Sequence, residues 1–138
     1  MPASRLPSPF TYVYKAAPGK QELCIDVYGV NPTVERQPRP VVMFFHTGFL
    51  LAGSRDLDLP IWLIVDALKK DYAFISADFR CLPDVGIQVI VTDVKDAGKF
   101  VREKLNRTLA HDGIRLRIDP GKLIIAGSGS GIENTVFF

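Results

Sequence analysis

Cysteine is scarce. Cys24 and Cys81 are the only two in 138 residues, too few and too far apart for a disulfide framework or a paired-cysteine metal site. They read as buried thiols, which suits a reducing, cytoplasmic setting. An excess of either charge is also missing. Seventeen Lys and Arg stand against fifteen Asp and Glu, a net charge of +2, and the two signs are interspersed, which argues against a nucleic-acid partner or a polybasic membrane patch. No apolar stretch follows Met1 in the manner of a secretory signal, and no apolar run approaches the ~20 residues of a membrane span. The Asn106-Arg107-Thr108 sequon therefore reads as a chance match. There is no internal repeat, and neither a metal nor a cofactor is expected.

Hydrophobic residues make up 47% of the chain, enough for the core of one domain of ordinary size. Residues 1–9 hold three prolines and two serines and are expected to form a loose arm. Phe10–Tyr14 and Glu22–Val30 read as two strands turned at Ala17-Pro18-Gly19, an antiparallel hairpin. The proline-rich stretch Asn31–Pro40 reads as a loop. Val41–Phe45 is apolar at every position, the mark of a strand buried on both faces, and it stops at His46-Thr47-Gly48.

A helix is expected after Asp58 and Pro60, with Ile61, Trp62, Val65 and Leu68 as its apolar face and Lys69-Lys70 at its end. Ala73–Ala77 is a further buried strand. Over Gln88–Leu105, residues Ile90, Val94, Ala97, Val101 and Leu105 recur at helical spacing, which puts Asp93 and Asp96 on the solvated or capping side. His111 falls in a polar link before the last strand. Ile118–Gly121 reads as a turn, and Leu123–Ala126 as a strand that runs into Gly127-Ser128-Gly129-Ser130-Gly131. The alternation of buried strands and helices implies an α/β fold, a mostly parallel sheet preceded by the antiparallel hairpin, with helices on its faces.

Four stretches carry a resemblance: FFHTGFLLAGSRD (Phe44–Asp56), ISADFRCLPD (Ile75–Asp84), VTDVKDAGKFVREKL (Val91–Leu105) and RIDPGKLIIAGSGSG (Arg117–Gly131). In order and spacing they resemble the α/β-hydrolases, and most of all the hormone-sensitive-lipase-like ("fold-3") esterase branch in its fungal form, with its HGG-type loop, DYRLLPE, DVKDA and GxSxG motifs. The resemblance implies the N-terminal half of that fold over residues 10–131, with 132–138 an atypical tail. It implies a small ester-like ligand and an oxyanion hole of backbone N–H groups from Thr47, Gly48 and Phe49, where preorganised donors meet charge developing on a carbonyl oxygen. Thr47 stands where the family has glycine. His46, Asp78, Arg80, Gly127 and Gly131 would be structural members of the motifs.

One departure concerns the nucleophile. In GxSxG the serine occupies the middle of a sharp strand-to-helix turn, and here that position is Gly129. Ser128 and Ser130 are each one residue off register, where a displacement of about 1 Å can cost on the order of a hundredfold. The family's acid and base follow the nucleophile, and within these residues no such pair follows Gly131. The expectation is a truncated chain of esterase type without independent turnover. A non-catalytic module that binds a small ligand in the same crevice is the alternative. A phosphate-cradling reading of GSGSG is disfavoured, because it has no P-loop lysine and Ile132 replaces the third glycine of GxGxxG. The last strand, with no further strand after it, is expected to invite self-association.

Overall fold

The structure, a computed structural model, describes residues 6–17, 21–34, 37–46, 54–56, 59–81 and 85–127. Among these residues, five strands form one mixed sheet: β1 (Phe10–Ala17), β2 (Gln21–Tyr28), β3 (Arg39–Phe45), β4 (Ala73–Ala77) and β5 (Ile118–Gly127), in the order β1-β2-β4-β3-β5. The hairpin β1–β2 is antiparallel and joins β4 antiparallel, while β4, β3 and β5 run parallel. The described residues also form three helices: α1 (Ile61–Lys69) between β3 and β4, then α2 (Ile87–Glu103) and α3 (Leu105–His111) between β4 and β5. Crossover helices are the physical requirement for joining parallel neighbours.

Alternation along the strands sorts the core into two layers. Ile25, Val27, Val41, Met43, Phe45, Ile75 and Ala77 point to the face covered by α2 and α3, through Ile90, Val94, Ala97, Val101, Leu105 and Leu109. Tyr28, Val42, Phe44 and Phe74 point to the opposite face, under Ile64 and Ala67 of α1. The stripe read from the sequence for α2 is therefore the buried one. It continues past Glu103 because Lys104 bends the chain (φ −124°, ψ −23°) into a separate α3. His111 consequently ends a helix rather than sitting in a link.

The face expected for α1 is corrected. Ile64 and Ala67 are its fully buried positions and Trp62 is 73% exposed. Nearly every residue of IWLIVDAL is apolar, so periodicity leaves two stripes open and packing against Phe74 and Val42 selects one. Both α1 and α3 close with the same hydrogen-bond pattern. Asp71 and Gly113 have positive φ (63° and 75°), and Tyr72 N–H donates to the Ala67 carbonyl as Ile114 N–H does to Leu109. Glycine takes that left-handed position freely, and aspartate is among the few other residues that tolerate it.

The loop read over Asn31–Pro40 ends earlier than expected, since Arg39 and Pro40 already belong to β3. The β3–β5 register jumps from Arg39↔Ile118 to Val41↔Leu123. Pro40, which has no N–H to give a ladder, stands where the pairing is interrupted, and Asp119–Lys122 bulge out opposite it. The turn expected at Ile118–Gly121 is this bulge, closed by Gly121 N–H donating to Asp119 Oδ1 at 2.9 Å. Asn106 anchors its start: the side-chain amide donates to the Ile118 carbonyl and accepts from the Ile118 N–H. That amide belongs to the sequon noted above.

The sheet ends differ. Beside β1, a bulge between Val13 and Lys15 breaks the register, a device that blunts edges. At the other end β5 pairs with β3 alone among the described residues, over the uncharged run Leu123–Gly127, and Ile124 is 51% exposed. Near the N-terminus, Leu6 packs against the core under α1. Among the described residues no helix is long and apolar enough to cross a membrane. Cys24 and Cys81 form no disulfide.

Candidate functional site at the carboxyl ends of the parallel strands

Three parallel strands finish level with one another. Phe45 of β3 lies opposite Ala77 of β4 on one side and opposite Gly127 of β5 on the other. Neighbouring strands are about 4.8 Å apart, so the segments that leave these residues all depart from one short edge. They are the segments that carry His46-Thr47-Gly48, Asp78-Phe79-Arg80 and Ser128-Gly129-Ser130. The chain leaves β3 toward α1 on one face and leaves β4 toward α2 on the other. Divergent exits of this kind open the crevice in which α/β sheets hold ligands.

Thr47, Gly48 and Phe49, read as oxyanion donors, lie outside the described residues, as do Ser128, Gly129, Ser130 and Gly131. Gly127 ends β5, half-buried. His46 is buried and its ring stacks on Phe79, with centroids 4.0 Å apart and planes at 4°. The stack ties the end of β3 to the residue after Asp78 at the end of β4. His111, exposed on α3, precedes Arg115, whose N–H meets Asn31 beyond β2; the chain then enters β5 from its amino end, away from the crevice.

Two ion clusters frame the edge. In the first, Asp93 of α2 is fully buried and accepts from Arg80 at N–H, Nε and Nη2 (3.0, 2.9 and 2.8 Å) and from Lys15 Nζ at 2.9 Å. Lys15 also reaches Asp96 at 2.8 Å. The expectation of a solvated Asp93 is thereby corrected, while Asp96 stays partly exposed. Helical spacing put Asp93 on the polar flank, but the strand-end cations of β1 and of the Asp78–Arg80 stretch lie over that flank. Burial by itself would raise the Asp93 pKa, and the hydrogen bonds from Arg80 and Lys15 outweigh it and hold the carboxyl below its ordinary value. Nearby, the Tyr14 hydroxyl donates to the Asp78 carbonyl, and burial, then the charges of Asp93 and Asp78, push its pKa up.

The second cluster was not read from the sequence. Asp78 accepts from the N–H of Cys24 through Oδ2, from the N–H of Arg55 through Oδ1, and from Arg55 Nη1 at 2.8 Å. Arg55 Nε also donates to Asp26 at 2.9 Å, and Thr11 Oγ1 to the same carboxylate oxygen. Ser76 Oγ donates to the Arg55 carbonyl. The available signal was Asp26 itself, a charge between Ile25 and Val27 in a strand whose neighbours are buried on both faces.

No family profile and no curated protein matches the chain. Solved structures do. An esterase of the planctomycete Thermogutta terrifontis is 23% identical and superposes with a TM-score of 0.73 over 94% of this chain and 43% of its own. The form of esterase 2 of that organism phosphorylated by paraoxon gives 22% identity and a TM-score of 0.70 over 94% and 46%. An arylesterase gives 26% and 0.64 over 93% and 38%. The chain thus spans less than half the length of these esterases, and its fold is that of part of an esterase-type α/β domain.

Proposed function

We propose that this chain carries the crevice-forming first part of a carboxylic-ester hydrolase of the hormone-sensitive-lipase-like branch, and that these 138 residues do not by themselves turn over esters. The observation that carries the reading is the common level of Phe45, Ala77 and Gly127. It starts the stretches HTGFL and GSGSG from neighbouring strands; in the family, N–H donors of the first meet the oxygen of the carbonyl group whose carbon is attacked by a nucleophile on the second. The family's small ester-like ligand belongs in that crevice.

Inactivity follows from the residues at hand. Gly129 has no side chain to attack. His46, stacked flat on Phe79, serves as a structural residue, and His111 lies on α3. A serine without a base to take its proton retains little acyl-transfer chemistry. With a short-chain p-nitrophenyl ester, the purified chain should hydrolyse at the uncatalysed background rate, and Ser128→Ala and Ser130→Ala should match it. Turnover that either substitution abolishes would overturn the reading.

The uncharged run Leu123–Gly127 of β5, which pairs with β3 alone among the described residues, is the proposed route of self-association, since the open edge of a strand is a template for pairing with another chain. Ile124→Lys places a charge on that strand and should weaken association at least tenfold in sedimentation equilibrium; an unchanged association constant would exclude this edge. A cytoplasmic location fits the unlinked Cys24 and Cys81.

A further inference from the structure

Charges of the two signs alternate along the sequence, but the fold separates them on one flank of α2 and α3. Asp93, Asp96, Phe100, Lys104, Arg107 and His111 follow one another at steps of three and four, the spacing of one helix face. At the acidic end every charge is answered: Asp93 by Arg80 and Lys15, and Asp96 by Lys15. At the basic end none is. Among the described residues the exposed Lys99, Lys104, Arg107 and His111 enter no ion pair. Arg107 reaches only the Glu103 carbonyl, at 3.4 Å, and Asp112, which follows His111, accepts from the Tyr12 hydroxyl instead.

The basic end is also concave. A cavity of about 190 Å³ lies between Tyr14 of β1 and Asp96, Lys99, Phe100 and Lys104, and a second of about 430 Å³ is lined by Lys104, Arg107, Thr108 and His111. Lys104, at the bend between the helices, lines both. Phe100 and Tyr14 pack against the core and give the first cavity an apolar wall. A bilayer suits this surface poorly, because none of the large apolar side chains exposed among the described residues lies between Lys99 and His111. Nucleic-acid strands need open rings on which bases stack, and here Tyr14 is tied to the Asp78 carbonyl while Phe100 leans on the core. The surface suits carboxylates with an apolar side chain between them.

We propose that the flank from Lys99 to His111 docks an acidic peptide segment of another protein, whose carboxylates meet Lys99, Lys104, Arg107 and His111 while an apolar side chain enters beside Phe100 and Tyr14. Complementary charge of this kind steers encounter and fixes register more than it adds affinity. Binding is therefore weak and sensitive to salt, since exposed charges are screened beyond about 8 Å at physiological ionic strength. No part of this surface depends on the function proposed above.

A capped peptide of repeated Glu-Glu-Leu, titrated into the full chain at low and at physiological salt with amide resonances followed by residue, tests this. Shifts should gather between Lys99 and His111 and weaken with salt, and a Gln-Gln-Leu peptide should leave them unmoved. Lys104→Glu combined with Arg107→Glu should weaken binding about tenfold or more, whereas Lys95→Glu, an exposed cation outside the row, should leave it within about twofold. Denaturation midpoints show that each variant is folded. No binding of the glutamate peptide, equal binding of the glutamine peptide, or an equal loss in Lys95→Glu would overturn the proposal. So would tighter binding of oligothymidylate or of phosphatidylserine vesicles at the same residues.

Discussion

Replacing Asp93 with alanine is expected to lower the unfolding free energy by about 3–5 kcal/mol, the usual cost of removing one partner from a buried ion cluster. The reason is the asymmetry of the site. Asp93 answers Arg80 through three hydrogen bonds, and it shares Lys15 with the more exposed Asp96. Without it, a guanidinium and its backbone N–H face a small void at the junction of β1, α2 and the end of β4. Domains have about 5–15 kcal/mol in total, so the variant should be largely unfolded at moderate urea. A loss under 1 kcal/mol would show that water takes over the role of the carboxylate.

The same carboxylate has a pH signature. Its folded pKa is depressed, so its contribution is complete above the unfolded value of about 3.9 and is lost as pH falls through the folded value. Parent stability should decline below about pH 4, and Asp93→Asn should flatten that limb. An acid limb of equal steepness in both proteins would assign acid lability elsewhere.

Phe74→Ala is expected to cost a further 3–5 kcal/mol or so, the range for truncating a buried phenylalanine. Phe74 is fully buried in β4, 5.9 Å from the Phe44 ring and 6.1 Å from Tyr28. It belongs to the smaller core layer, which only α1 covers among the described helices, and few neighbours can collapse into the space it leaves. Trp62→Ala, on the exposed side of the same helix, should change stability by no more than about 0.5 kcal/mol. Comparable losses in urea titrations of the two variants would mean that α1 packs through its other stripe.

Both substitutions bear on how the chain could be read in advance. Buried strands were legible because five consecutive apolar residues at Val41–Phe45, or AFISA at Ala73–Ala77, have no other stable place than between two covered faces. Helix α2 was legible because its stripe is interrupted by charge on the other side. Helix α1 was not legible as to face: its sequence is apolar almost all round, and only the ring of Phe74 beneath it distinguishes Ile64 from Trp62.

The site divides in the same way. Local sequence determined that β3, β4 and β5 each end in a polar or glycine-rich turn, because a buried strand must stop where its side chains change character. It also determined that Gly129, not serine, is the middle residue of GSGSG. The tertiary structure alone decided that Phe45, Ala77 and Gly127 end at one level, since register is set by pairing between strands distant in the chain. It alone decided that Asp93 is buried, because the cations that cover it come from β1 and from the end of β4. And it alone brought Thr11, Asp26, Ser76 and Asp78 around Arg55, for hydrogen bonds between residues up to 54 positions apart in this cluster leave no periodicity in the sequence that binds them.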